Sequence, residues 1–338
     1  MSTHTIRRGT VLAACMTLLV TVATLAAVKP AAAAPLQCAD LRLDQLTHGV
    51  PVFDVTDMAI APDETVVMWV GAAGYRHFIG LSGAEPAPAA RFDGTAWWGT
   101  INPILADGES IVGISWTATS QGYWMFTSAG RVFPFGDAGF FGDLEQLDVV
   151  PALPVKGGVA TVAGDGYWLF AEDGGIFAFG AAGFHGSVPG ALAGTGAQLA
   201  APIVGMAPSS TGEGYTMVGA DGGMFAFGDA PFMGSLPGMG VTPDEPIVDM
   251  IASPGGYLQL GADGGTFLFG NAQFQGSIPF GASCGRISYW PGVGAVSLSG
   301  LDFLGADVLA TNDGYILTDT QGWAYRFGEA VEVPRSGA

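Results

Sequence analysis

Three Asp-Gly-Gly triplets are the polar groups in this sequence that most strongly suggest chemistry. Their aspartates are Asp173, Asp221 and Asp263. Such acids could bind Ca²⁺, but that ion needs several oxygens converging on one point, and each triplet stands in a separate stretch of chain. Aspartate followed by glycine is also typical of a tight turn, where the side chain bonds to its own backbone. We therefore predict that these aspartates stabilise turns.

Asp57 and Asp249 form a second candidate set. Each precedes a methionine in an apolar run, and the matching positions of other runs hold Gly113 and Gly205. Two carboxyl groups that converge in a cavity can act as acid and base in glycoside hydrolysis. Solvation of a strand end explains the same residues without catalysis, and the sequence alone does not pair them. Catalysis by these acids stays an alternative hypothesis.

Histidine and cysteine show no metal-binding pattern. The four histidines form no His-x-x-x-His pair and no Cys/His cluster. His185 stands where other copies of the repeat described below have Phe141, Met233 and Gln275, so we expect it to serve packing. Phosphate-binding loops and dinucleotide fingerprints are absent as well. We expect no metal and no cofactor, and we lean towards a protein that is not an enzyme.

Aromatic residues in segments that depart from the repeat are the ligand-binding candidates. They are Trp98, Tyr289 and Trp290. Exposed aromatic side chains with a polar group can stack on sugars or anchor a protein partner. Trp98 aligns with Phe141 of another copy, which favours burial, so Trp290 is the stronger candidate.

An internal repeat organises most of the chain. Its motif is Gly-Tyr, Asp-Gly-Gly, Phe-x-Phe-Gly and Phe-x-Gly-Ser, as in residues 214–235, and the copies that begin at 166 and 256 match without gaps. Degenerate copies bring the Gly-Tyr landmarks to six, at positions 74, 122, 166, 214, 256 and 314. A period of about 45 residues is typical of β-propeller blades.

Each copy can be divided into four strands. Residues 202–207 form a short apolar run typical of a strand that is buried on both faces. The Asp221-Gly222 pair predicts a two-residue hairpin turn before a strand with alternating phenylalanines, and a short fourth strand is expected near Phe232. Residues 51–55 could add an outer strand to the last copy and close a ring. We expect an all-β fold: a β-propeller of about six four-stranded antiparallel blades.

The repeat motif resembles one found in secreted bacterial cell-surface proteins, where it is taken to build β-propellers. The resemblance covers about residues 58–330 and is most specific in the three ungapped copies. It implies a role in surface or matrix binding without a settled ligand. It carries no catalytic residues over to this chain.

The first 34 residues predict an export signal. Arg7 and Arg8 precede an apolar run that ends in alanines near Ala34, which is typical of a cleavable signal peptide. An uncleaved membrane anchor is the alternative, and it would be the chain's only contact with a membrane. The remaining residues, 35–338, are expected to form one propeller domain. They keep Cys38 and Cys284, which could form a disulfide in an oxidising compartment or remain separate thiols.

Composition narrows the choice of partners. The chain has 54 glycines, 49% hydrophobic residues, 12% charged residues and a net charge of −19. That acidity disfavours nucleic acids and other polyanions. We expect a secreted or cell-surface monomer that binds an envelope glycan or protein. A propeller glycoside hydrolase or lyase that uses channel carboxylates is the alternative.

Overall fold

A computed structural model describes most of the chain after residue 54. The described residues are 55–63, 66–80, 98–100, 105–253, 255–274, 277, 303–308, 314–320 and 324–328. The chain divides after Leu36 into a short N-terminal unit and a unit of residues 37–338, which holds all the strands below. The predicted signal peptide, Cys38 and Cys284 lie outside the described residues. No helix within the described ranges is long and apolar enough to cross a membrane.

The described residues form six antiparallel sheets, each built from strands that are consecutive in sequence. The first sheet contains β1 (Val55–Ile60), β2 (Val66–Gly71), β3 (Tyr75–Gly80) and β4 (Trp98–Thr100). The second and third contain β5 (Ile111–Trp116), β6 (Gly122–Thr127), β7 (Val132–Gly136), β8 (Val155–Ala160), β9 (Gly166–Ala171) and β10 (Ile176–Gly180). The fourth and fifth contain β11 (Ile203–Pro208), β12 (Gly214–Gly219), β13 (Met224–Gly228), β14 (Ile247–Ser253), β15 (Gly256–Gly261) and β16 (Thr266–Gly270). The sixth contains β17 (Phe303–Val308), β18 (Gly314–Asp319) and β19 (Ala324–Gly328).

The first strands of the six sheets are arranged in a ring. Each contacts the first strand of the next sheet, and β17 of the sixth sheet contacts β1 of the first. At that junction Trp69 Nε1 donates a hydrogen bond to Thr318 Oγ1 at 3.0 Å. Six meander sheets around one axis are the architecture of a β-propeller, and we call the sheets blades 1 to 6.

The hydrophobic core lies between neighbouring blades. The second strands are apolar, and β2, β6, β9, β12 and β18 are buried along their whole length. Side chains from adjacent blades form shared clusters, such as Trp168 of blade 3 with Met206 and Tyr215 of blade 4. Both faces of each sheet are covered, which explains apolar runs without strict alternation.

The predicted four-stranded blade is wrong for blades 2 to 4, whose corresponding segments are all described. The segment near Phe232 forms no strand. Its backbone bonds to the next blade instead: Met233 N donates to the Tyr257 hydroxyl at 3.1 Å, and that hydroxyl donates to Gly234 O at 2.5 Å. These groups are therefore not free to pair with β13.

Blade 1 differs from the sequence prediction in two ways. Val55, expected in an outer strand of the last blade, begins the inner strand β1, while residues 51–54 lie outside the described range. Among the described residues, β17 contacts β1 and Trp69 bonds to Thr318 where blades 6 and 1 meet. Tyr75 begins the third strand of its blade, whereas the other five Gly-Tyr landmarks fall at the start of a second strand. The Gly-Tyr pair at position 74 therefore does not mark the same strand as the other five pairs.

Candidate functional site

A central cavity of about 390 Å³ lies where the six inner strands meet. Every inner strand, from β1 to β17, contributes residues to its lining. This is the place where the fold brings together side chains that are far apart in sequence.

Every inner strand has a β-bulge at the same place, beside the cavity. In each blade the second residue of the inner strand has no partner on the second strand, so the register shifts before the third residue. Bulges re-aim side chains and are frequent beside functional sites. The residues that follow the unpaired ones, in chain order, are Asp57, Gly113, Gly157, Gly205, Asp249 and Gly305. The sequence-based match of both aspartates with Gly113 and Gly205 is therefore confirmed, although all four lie within their strands.

Asp57 and Asp249 make the same hydrogen bonds in two different blades. Asp57 Oδ1 accepts from Met58 N at 2.8 Å, and its Oδ2 accepts from Ile114 N of blade 2 at 2.9 Å. Asp249 Oδ1 accepts from Met250 N at 2.7 Å, and its Oδ2 accepts from Ala306 N of blade 6 at 3.0 Å. Each carboxyl group therefore ties its own inner strand to the next one.

Gly305 separates the two carboxyl groups. A Cβ atom on this glycine would stand 3.7 Å from Asp57 Oδ1 and 3.7 Å from Asp249 Oδ2. The carboxyl groups flank the gap that the missing side chain leaves. The structure thus brings together two acids that the sequence could not pair.

Burial in the cavity raises the pKa of both acids. It raises the pKa of Asp57 to about 8, and the neighbouring charges of Asp249 and Asp307 add to this effect. The pKa of Asp249 is raised to about 7, because burial and the charge of Asp307 outweigh the backbone donors and Lys156. Since the acids interact, they titrate as a coupled group. The group retains protons at neutral pH.

Asp307 is the site residue that the sequence analysis missed. Its Oδ2 accepts a hydrogen bond from Ile60 N at 2.7 Å, across the junction between blades 6 and 1. Ser115 holds the equivalent place in blade 2, where its hydroxyl accepts from Ala160 N of blade 3 at 3.2 Å. The sequence did contain a signal for this residue: Asp307 is an acid in an apolar strand, two residues after Gly305.

The Asp-Gly-Gly aspartates form turns, as predicted. The Oδ1 atoms of Asp173, Asp221 and Asp263 each accept from the backbone N–H two residues later, at 2.8 to 2.9 Å. The predicted two-residue turn is wrong, because Gly219 pairs with Gly223 and leaves three residues in the loop. Gly222, at φ 76°, is the residue in the left-handed conformation, which suits a three-residue hairpin. No group of three or more potential metal-ligating residues occurs in the described ranges.

Tyrosine and tryptophan side chains fix the segment after each outer strand. In blade 3, Trp168 Nε1 donates to Gly183 O at 2.7 Å. Tyr215 of blade 4 accepts from His185 N at 3.2 Å and donates to Gly186 O. The His185 ring meets Tyr215 edge-on at 5.6 Å, which agrees with the predicted packing role. The backbone on both sides of Phe184 is therefore held in place.

Phe184 and its counterparts point into solvent. Phe140, Phe184, Phe232 and Phe274 occupy the first position of the Phe-x-Gly segment in blades 2 to 5, with exposed fractions of 43%, 62%, 60% and 45%. Packing between blades explains the other recurring aromatic residues, such as Tyr215, which is fully buried. Packing between blades does not explain the exposed phenylalanine at this position. The sequence analysis missed these residues because it assigned what recurs to the core.

The binding candidates from the sequence lie almost wholly outside the described residues. Tyr289 and Trp290 fall there. Trp98 is described only in its backbone, which begins β4 and pairs with His77 of β3. Their proposed contacts stay predictions.

Comparison with solved structures adds distant likenesses. No family model and no curated protein matches the chain. Among solved structures, the β-propeller domain of Cps50 (Swd1) from Myceliophteria thermophila is similar, with 11% identity and a TM-score of 0.48. The match covers 84% of this chain and 98% of that domain. Because the likeness is so distant, the fold assignment rests on the six sheets and their ring of inner strands.

Proposed function

We propose that this protein is a secreted or cell-surface β-propeller module that binds an envelope glycan or protein. The predicted signal peptide and the resemblance of the repeat support the location. The recurrence of one exposed phenylalanine in four successive blades supports the binding role and is the observation that carries it.

The exposed phenylalanines suit binding for two physical reasons. A single exposed apolar side chain is ordinary on a protein surface, but the same one repeated across blades is not accounted for by packing. The neighbouring backbone is also held by hydrogen bonds from indole and phenol groups, as around Phe184. A ring presented on a rigid backbone loses little conformational freedom on binding.

Co-sedimentation with envelope material tests the proposal. The protein without its signal would be mixed with the insoluble cell-wall fraction and with outer-surface extracts of the producing cells. We expect retention of the wild-type protein and loss of most of it when Phe140, Phe184, Phe232 and Phe274 are all replaced by serine.

A matched control separates these rings from general surface hydrophobicity. Val162 and Met239 are also exposed but do not belong to the recurring set, so the variant V162S/M239S should be retained like the wild type. Retention of the wild type no greater than that of an unrelated acidic protein would refute the proposal, as would full retention of the fourfold serine variant.

The paired carboxyl groups favour a second candidate, a glycoside hydrolase or lyase. A general acid must hold a proton at working pH, and the raised pKa values of Asp57 and Asp249 satisfy this need. However, all four of their oxygens accept backbone hydrogen bonds, which ranks this candidate second. A screen of polysaccharides and chromogenic glycosides tests it: turnover that disappears in D57N and in D249N supports it, and no turnover by folded wild-type protein excludes it.

A further inference from the structure

The connection between blades 2 and 3 exposes several large apolar side chains. Leu147, Val149, Val150 and Leu153 are all exposed, and Val150 exposes 91% of its surface. A concavity of about 300 Å³ lies beside them, lined by residues 149–154 together with Ser128 and Ala129. We call residues 147–154 the apolar connection.

The matching connection after blade 3 does not share this surface, whereas the one after blade 4 exposes Met239 and Val241. All three begin alike: Leu144, Val188 and Leu236 are fully buried beneath a turn glycine. In blade 3 the chain then forms a short helix, α1 (Val188–Leu192), and Leu192 and Leu199 pack against the core. The apolar connection instead turns its large side chains outwards. Core packing therefore does not account for them.

Hydrogen bonds hold the apolar connection in place. Val149 N donates to Leu144 O at 3.0 Å, and Pro154 O accepts from Glu172 N at 3.1 Å. Pro151 and Pro154 further restrict its backbone. A surface that is ordered before binding avoids part of the entropy cost of association.

Acidic side chains lie at the start of the apolar connection. Glu145 and Asp148 are exposed at its start. Arg131, the nearby cation, is bonded to Glu109 and also interacts with Glu145 and Asp143. The local charge is thus negative, so a partner that covers the apolar side chains gains by bringing positive charge.

We propose that the apolar connection docks a cationic amphipathic segment of a partner protein. An apolar side chain of that segment occupies the concavity, and its Lys or Arg side chains face Glu145 and Asp148. Helices and extended peptides with such a pattern bind apolar grooves in this way. This site uses none of the exposed phenylalanines, so it can be tested independently of the function proposed above.

Fluorescence anisotropy with synthetic peptides tests the proposal on the folded protein. The probe is a short labelled peptide of Leu and Lys, compared with Leu/Glu and Ser/Lys peptides of the same length. We expect the Leu/Lys peptide alone to bind well. The variant V150S/L153S should weaken binding about tenfold or more, the effect of losing about 1.4 kcal/mol, whereas V162S should bind like the wild type.

A charge variant isolates the electrostatic part. E145Q/D148N should bind more weakly at low salt and show a smaller loss of affinity as salt is added. Three results would overturn the proposal: no binding of the Leu/Lys peptide, equal binding by V150S/L153S and the wild type, or equal binding of the Leu/Glu peptide. Because all the substituted residues are exposed, circular dichroism should show unchanged folding.

Discussion

The Oδ2 atom of Asp307 accepts a hydrogen bond at 2.7 Å from the backbone N–H of Ile60, a residue 247 positions earlier in the chain. The bond joins β17 to β1, which are the last and first inner strands of the ring. Nearly the whole propeller must be assembled before these two strands meet. The entropy cost of bringing them together is therefore that of closing a very long stretch of chain. Contacts at this junction therefore decide whether the ring stays closed.

Replacement of Asp307 by alanine should destabilise the fold. The change leaves Ile60 N without this acceptor in a part-buried place, which typically costs about 1–3 kcal/mol. It also removes a negative charge beside Asp57 and Asp249, so the pKa of both should fall. Urea denaturation measures the first effect. S115A, which removes the matching bond between blades 2 and 3, is the control and should cost less; equal losses would show that the closing junction has no special role.

Stability should fall as the pH rises from about 4 to about 8. The pKa of Asp57 is raised to about 8 and that of Asp249 to about 7, whereas an unfolded aspartate titrates near about 4. In this window the folded protein binds more protons than the unfolded chain, so the free energy of unfolding decreases with pH. Each of the two acids contributes at most about 1.4 kcal/mol per pH unit to this decrease in the free energy of unfolding.

Variants of the two acids check this pH dependence. In D57N/D249N the free energy of unfolding should decrease less between about pH 5 and about pH 8, because neither site can then titrate. Its stability at the acid end should also be lower, since each Asn offers one acceptor fewer to the backbone. D148N, at an exposed site, should keep the wild-type slope. A wild-type slope in the double variant would contradict the raised pKa values.

Removal of the Tyr215 hydroxyl should loosen the junction between blades 3 and 4. This group bonds to both His185 N and Gly186 O, so Y215F leaves two backbone groups unpaired and should cost about 1–3 kcal/mol. Y167F and Y257F should cost similar amounts because their hydroxyls make the same pair of bonds. Thermal denaturation measures each loss.

The control for the tyrosine series is an exposed hydroxyl in the same blade. Thr211 bonds to Asp229 at the surface, and T211A should change stability by no more than about 0.5 kcal/mol. If Y215F cost no more than T211A, the hydroxyl would not hold the blades together.

The repeat made the number of blades predictable, and the turn chemistry of Asp221 followed from residue type. Spacing aligns equivalent positions, so it also placed Asp57 and Asp249 in matching strands. It could not show that both flank Gly305, because that depends on how the ring closes. Asp307 was missed because most of its counterparts, such as Ala207 and Ile251, are apolar.

The fourth strand was predicted wrongly, and the exposed phenylalanines were missed, for a related reason. A short segment such as 232–234 has a strand-like composition, but the Tyr257 hydroxyl of the next blade takes up its backbone groups. Sequence alone does not reveal such a competing partner. Recurrence of Phe232 was compatible with burial, and only the fixed backbone around it directs the ring outwards.

Substitution of Gly222 by alanine separates two reasons for glycine in this fold. Gly222 has φ 76°, and a Cβ there would lie 2.5 Å from the buried Leu236 side chain. Gly196 has nearly the same φ of 75°, but nothing lies within 4 Å of its Cβ position. G196A should cost about 1 kcal/mol for backbone strain alone, whereas G222A adds overpacking and should cost about 1–3 kcal/mol more. Urea denaturation of the two variants gives the difference directly. Equal losses would mean that Leu236 moves aside freely and that backbone conformation alone demands glycine at this turn.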